Sequence, residues 1–154
     1  YTHPQWPTKP LFYASAPTKT DRSIAPEGCE NMFLLMPTAP GLAGDSEEVR
    51  EKYYNIMMDR LEQFTGSSIR DRVVVKRSFA YSDFKSEYNS FKGNAYGLAN
   101  TLDQTAILKP RLKSKKISNL YFSGQLTTPG PGVPPTLISG EVVSKEIAKD
   151  FKLK

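Results

Sequence analysis

Residues 119–140, Asn-Leu-Tyr-Phe-Ser-Gly-Gln-Leu-Thr-Thr-Pro-Gly-Pro-Gly-Val-Pro-Pro-Thr-Leu-Ile-Ser-Gly, constrain this chain more than any other stretch. Leu120-Tyr121-Phe122 is a short apolar run of the kind that forms a buried strand, bounded by Gly124. Gly124, Pro129, Gly130, Pro131 and Gly132 then make a tight backbone with little side-chain bulk. From Val133 the pattern turns helical: Pro134 and Pro135 suit a first turn, and Leu137, Ile138, Val142 and Ile147 recur at helical spacing. Strand, glycine-rich turn and helix start together let a ligand's oxygens meet unpaired backbone N–H groups. The turn is not a Walker loop, because no Gly-Lys-Ser/Thr follows it. It is not the Gly-x-Gly-x-x-Gly fingerprint either, because Pro135 stands at the third glycine position.

The rest of the chain bounds the reading. Its 154 residues suffice for a modest core, and 38% hydrophobic content makes it globular. No apolar run approaches the roughly 20 residues of a membrane-spanning helix. No basic-then-apolar leader opens the sequence. Cys29 is the single cysteine, which excludes an internal disulfide, and it lacks the neighbours a metal site requires, so no metal is expected. His3 is the single histidine and supports no Ser-His-Asp or Cys-His arrangement. The formal charge of +5 is concentrated in Lys109, Arg111, Lys113, Lys115 and Lys116. That run reads as a solvated loop, as an attraction for anionic lipid headgroups, or as one for nucleic acid.

Two strands are expected at 11–15 and 31–36, paired antiparallel through a turn-rich loop, the first buried on both faces by its near-continuous apolarity. On the second, Met32, Leu34 and Met36 share one face. A helix is expected over about 45–65, with Asp45 and Glu48 at capping-box spacing and an apolar stripe of Val49, Tyr53, Ile56, Met57, Leu61 and Phe64 interrupted by Arg60. Gly66 stops it. A strand is expected over about 69–76, centred on Val73-Val74-Val75. Ser82 is placed to cap a short helix with Phe84 and Tyr88 as neighbours at i and i+4. The aromatics at 79–91, interleaved with lysine and arginine, also fit a single-strand nucleic-acid platform, but their spacing is helical. Gly93-Asn-Ala-Tyr-Gly97 is a second permissive loop, followed by Leu98, Leu102, Ala106 and Ile107 at roughly helical intervals.

Asn119, Tyr121, Phe122, Gly124, Thr127, Thr128, Pro129, Gly130, Gly132, Val133 and Ser139 carry a resemblance. The stretch resembles the C-terminal flavin-binding signature of the bacterial-type phytoene desaturases, FAD-dependent enzymes of carotenoid synthesis. It departs from the commonest form at Gln125, Leu126 and Pro131. The resemblance extends over most of the chain and implies the C-terminal portion of such an enzyme, since the N-terminal dinucleotide fingerprint and its acidic partner are absent. It implies an α+β piece: antiparallel strands and helices of a substrate-binding domain over 1–92, then a flavin-facing loop and strand–Gly/Pro turn–helix over 93–154. In the intact enzyme that last part completes a Rossmann-like FAD domain.

The implied cofactor-binding residues are Gly124, Thr127, Pro129, Gly130, Gly132 and Val133, with Gly93 and Gly97. Gln104 falls near the flavin ring and substrate mouth, and Met32, Leu34 and Met36 fall where a polyene tunnel is lined, though core packing is the better reading for any one of them. The helix start at Gly132, Val133 and Thr136 offers N–H donors to the flavin's N1/C2 edge, Val133 foremost. No catalytic acid or base is identifiable. The intact enzyme would move hydride from an isoprenoid polyene to FAD, at the cytoplasmic face of a membrane to which it is peripheral. The expected partners are the missing N-terminal FAD-binding portion, the carotenoid substrate and anionic lipid, without nucleic acid. Residues 120–122 are expected to sit at a sheet edge or to pair with another copy of the chain. Alone, the chain is expected to be inactive and to hold no FAD. The competing class is a non-enzymatic basic and aromatic module that contacts RNA or an anionic membrane.

Overall fold

The computed structural model describes residues 3–42, 44–99, 101–105 and 108–153. The chain forms two compact units, Tyr1–Asn94 and Ala95–Lys154. The first opens with the expected antiparallel pair, shorter than the sequence suggests: β1 (Tyr13–Ser15) and β2 (Phe33–Leu35), with Tyr13 opposite Leu35 and Ser15 opposite Phe33. The loop between them is held by carboxylates. Glu30 accepts from the Thr18 hydroxyl and the Lys19 ammonium. Asp21 accepts from the Ser23 N–H at 2.9 Å and its hydroxyl at 2.6 Å. The expected burial of the first strand on both faces does not hold, because Tyr13 and Ala14, on opposite faces, are both exposed. A two-stranded ribbon covers neither of its own faces.

Helix α1 (Glu47–Thr65) follows, with Glu47 and Glu48 in its first turn, where the helix dipole favours negative charge. It stops at Gly66, in the left-handed conformation at φ 66°, whose N–H donates to the Glu62 carbonyl at 2.9 Å. Its N-cap is Ser46, a correction to the expected Asp45 box. The Asp45 carboxylate instead accepts from the Ser82 N–H at 2.8 Å, the Ser82 hydroxyl at 2.9 Å and the Arg50 guanidinium at 2.9 Å. The same guanidinium lies 2.7 Å from the Asp83 carboxylate, so one arginine ties the helix start to the chain nearly forty residues on.

The apolar stripe of α1 packs on the N-terminal segment. Tyr53 is buried, stacks on Trp6 at 5.0 Å between ring centres, and donates its hydroxyl to the Pro7 carbonyl at 2.8 Å. Arg60, which breaks the stripe in the sequence, donates to the Pro10 carbonyl and lies over the Phe12 ring at 5.0 Å. It is a polar clamp on an apolar surface. The stripe also misjudges two positions: Phe64 is exposed, and Met58, off the stripe, is among the most buried side chains described.

Helix α2 (Tyr81–Tyr88) forms where expected, with Phe84 and Tyr88 6.2 Å apart between ring centres. Phe79 sits edge-on to Phe84 at 4.8 Å, so these rings pack on one another rather than lining a sheet. The cap is Ala80, whose N–H donates to Asp83 at 2.7 Å, while Ser82 lies inside the first turn. The strand expected at 69–76 is absent. Arg70–Arg72 is a 3-10 turn, pinned because the Glu62 carboxylate accepts from both the Ile69 and Arg70 N–H at 2.7 Å. Residues 73–80 form no regular secondary structure and have no ladder partner among the described residues, leaving Val74 and Val75 89% and 85% exposed.

Burial pushes the Asp45 carboxyl up, but the Ser82 and Arg50 hydrogen bonds outweigh it and hold its pKa below the ordinary value. A depressed folded pKa contributes stability above the unfolded value of about 3.9, lost as pH falls through the folded one. Asp45→Asn should therefore cost about 1–3 kcal/mol at neutral pH, with the difference from wild type shrinking below about pH 4. Thermal melts of the full-length protein at several pH values test this. A cost that stays constant down through the carboxylate range would show that the charge of Asp45 is irrelevant.

In the second unit a 3-10 turn, Leu102–Gln104, stands where a longer helical run was expected, and Ala106 and Ile107 of that run lie outside the described residues. The strand at 120–122 is reduced to one antiparallel bridge between Lys113 and Tyr121. Flanking it, the Phe122 N–H donates to the Leu112 carbonyl at 2.7 Å and the Ser114 N–H to the Leu120 carbonyl at 2.9 Å. A buried strand needs neighbours along both edges, and among the described residues only 112–114 supply one. Helix α3 (Val133–Asp150) forms as expected, with prolines in its first turn.

Candidate functional site

Between the bridge and α3, the chain turns through Gly124, Gly130 and Gly132, at φ 107°, 139° and 109°. A side chain at any of these would be strained, which is why the turn is written in glycine. The Thr128–Pro129 peptide is cis. Two buried hydroxyls fix the turn to the helix. Thr127 donates to the Gly124 carbonyl at 2.9 Å, the Gly124 N–H donates to the Ser139 hydroxyl at 2.7 Å, and Ser139 donates to the Thr136 carbonyl at 2.7 Å. Ser139 is 0% exposed, so every polar atom it carries is used inside the protein.

A cavity of 350 Å³ opens at the start of α3, lined by Tyr96, Gln125, Gly132, Val133, Thr136 and Leu137, with Ala95 beside them. Its walls are mostly apolar, and its polar end is the helix N-terminus. The sequence counted Gly132, Val133 and Thr136 as donors there. The Thr136 N–H is in fact taken by the Gly132 carbonyl at 3.0 Å. Pro134 and Pro135 have no N–H, so Gly132 and Val133 remain. The lining carries no carboxylate, histidine or lysine, and no group of His, Cys, Asp and Glu able to hold a metal occurs among the described residues.

Gly97 joins this site. At φ 84° its added Cβ would come 2.6 Å from Leu126 Cδ2, so a side chain at Gly97 would be strained and would displace the end of Leu126. Gly130 is buried with the Lys109 side chain against it, an added Cβ falling 3.4 Å from Lys109 Cε. Pro129 lies in the turn itself, and Thr127 faces inward onto Gly124. Gly93 belongs to the first unit, where a Cβ would meet the Tyr81 ring at 2.3 Å. Gln104 accepts the Ala99 N–H at 3.1 Å and closes its own loop. Met32, Leu34 and Met36 are in the first unit, Met32 exposed and the other two half-buried.

Sequence reasoning gave no cavity-lining role to Tyr96, Gln125 or Leu137, and no structural one to Ser139. Ser139 did carry a signal, a serine one and two residues after the apolar Ile138 and Leu137 where α3 enters the turn. Tyr96 carried none, since its place depends on how the 93–97 loop folds.

Over 151 residues, 98% of its length, the chain is 45% identical to the carotenoid 3,4-desaturase of Haloarcula japonica, covering 30% of that protein. Over 149 residues it is 32% identical to a 4,4'-diapophytoene desaturase (4,4'-diaponeurosporene-forming) of Staphylococcus aureus, again covering 30% of the relative. No family model matches. The chain thus spans about 30% of the length of the curated relatives it matches, and the likeness read from 119–140 extends along nearly all of it.

Proposed function

We propose that this chain, similar from end to end to about a third of each of those carotenoid desaturases, is the C-terminal part of a FAD-dependent enzyme that desaturates an isoprenoid polyene. The observation that carries the reading is the cavity at the start of α3. Its mostly apolar walls suit an aromatic ring system, and its polar end offers backbone N–H groups without a charged side chain. The residues present fit a flavin edge: Gly132 removes the side chain where backbone and ring would approach.

When bound, FAD would accept the hydride withdrawn from the substrate. The chain's own contribution is placement. Val133 N–H and the positive end of α3 would face the flavin's carbonyl edge, where negative charge gathers on reduction. Ser139 and Thr127 would hold the glycine turn rigid behind it, so the donors need not reorganise. Tyr96 and Leu137 line the cavity and are themselves exposed in this chain, so a bound ring would rest against them. The grip on the pyrophosphate and ribose would belong to residues outside this chain, which is why the chain alone is read as inactive. Polyene substrate and a membrane-peripheral, cytoplasmic setting belong to the same proposal. No helix of the described residues is long and apolar enough to cross a membrane.

The test is purification of the full-length protein, with a visible flavin spectrum and chromatography of carotenoids after anaerobic incubation with an acyclic polyene. Flavin content together with loss of hydrogens from the polyene supports the reading. Protein without flavin that leaves every polyene unchanged would remove it.

A further inference from the structure

Gln125 lines the α3 cavity, half-buried, and its carboxamide has no hydrogen-bond partner among the described residues. The polar side chains around it are spent on the fold. Thr127 and Ser139 are bonded inside the glycine turn, and the Gln104 carboxamide is occupied by the Ala99 N–H. The backbone that carries Gln125 is held at both ends. Gln125 and Leu126 are the two corner residues of a turn closed by the Thr127 N–H, which donates to the Gly124 carbonyl at 3.1 Å. Gly124 is tied in turn to the fully buried Ser139 hydroxyl. Leu126 faces Gly97, and Gln125 is the corner residue that lines the cavity.

What such a group can recognise follows from its chemistry. The α3 start offers donors only, the N–H groups of Gly132 and Val133, and the lining carries no carboxylate to accept a proton donor. Tyr96 and Thr136 contribute single hydroxyls. The carboxamide of Gln125 is the one side chain of the lining that holds an acceptor and two donors in a single plane. The imide edge of a flavin runs carbonyl, N–H, carbonyl. It asks for an acceptor between donors, which the helix start alone does not supply.

We propose that Gln125 selects the imide edge of the ring, its amide oxygen accepting from the ring N3–H and its NH2 group donating to a neighbouring carbonyl. The assignment rests on the flavin reading of this cavity and adds to it the residue that sets ring specificity. A site built to pair an N–H rejects the analogue that lacks it, because the acceptor is then left unpaired.

The experiment strips flavin from the full-length protein and titrates it with FAD and with FAD methylated at N3, following flavin fluorescence. Wild type should hold FAD at least tenfold tighter than the methylated form. Gln125→Met keeps the length of the side chain and removes the amide, so it should bind FAD about tenfold more weakly and lose the preference. Gln125→Glu keeps an acceptor for N3–H and should keep the preference. Its charge stands beside the edge where reduction gathers negative charge, so the two-electron potential should fall by about 30 mV, a tenfold loss of preference for the reduced ring. Gln63→Met, at an exposed position of α1, should change neither measurement. Equal binding of the two flavins by wild type overturns the assignment, whether or not a variant folds. Preference retained in Gln125→Met overturns it as well, since crowding rather than the amide would then exclude the methyl group. Wild-type protein that takes up neither flavin overturns the flavin reading itself, and this assignment with it.

Discussion

Gly132→Leu in the full-length protein is expected to lower flavin retention at least tenfold while the protein still folds. Gly132 stands at φ 109°, where an L residue is strained, and an added Cβ would lie 3.4 Å from the Pro135 ring. The backbone must yield, at a cost of about 1–3 kcal/mol, too little to unfold a large domain. The rest of the leucine has to share the 350 Å³ cavity that Gly132 lines. A ring and a leucyl group cannot both occupy that corner without displacing Val133 N–H. The melting temperature should fall by only a few degrees, since ~1 kcal/mol moves a domain of 150–250 residues by roughly 2–4 °C. Gly140 supplies the control. It is in the interior of α3 with nothing within 4 Å of an added Cβ, so Gly140→Ala should stabilise by up to about 1 kcal/mol and leave flavin untouched. Full flavin content in Gly132→Leu would mean that the ring does not sit in this cavity.

What the sequence made legible is what local chemistry decides. The glycine turn, the α3 start at Val133, the stop of α1 at Gly66 and the antiparallel pairing of residues 13–15 with 33–35 each follow from a few neighbouring residues. The misses share a different cause. Val73-Val74-Val75 has strand propensity, but a strand exists only where another segment pairs with it, and Glu62 turns the chain back just before it. Leu120-Tyr121-Phe122 fails to become a strand for the same reason, keeping one bridge to Lys113. Asp45 looked like a cap because of its spacing to Glu48, yet it serves Ser82 and Arg50, a partnership no local pattern encodes. At the site, the turn glycines were readable from φ requirements, whereas Tyr96 and Leu137 line the cavity only because the fold brings their segments together.

The 154-residue chain expressed by itself is expected to self-associate and to bind a hydrophobic dye strongly, and the full-length protein is not. The chain exposes 11946 Å² of surface. Even two separate globules of the sizes of its units would together show only about 9,300 Å². Large apolar side chains are among what is exposed: Leu137, Ile138 and Val142 form an exposed strip along α3 in the second unit, and in the first unit Val74 and Val75 stand out from a segment without regular secondary structure. Exposed apolar surface of this kind is where other chains add. In the proposed parent enzyme both would be covered by the part of the protein that these residues do not include, about 70% of its relatives' length by the matched share of 30%. Expressed alone, the chain has only other copies of itself to cover that surface. Sedimentation velocity should therefore show oligomers that grow with concentration, and dye fluorescence should fall several-fold when the remaining part is co-expressed and binds. A monomeric chain that unfolds cooperatively and binds no dye would show that it buries enough apolar surface to stand alone, and the exposed strip would then need another explanation.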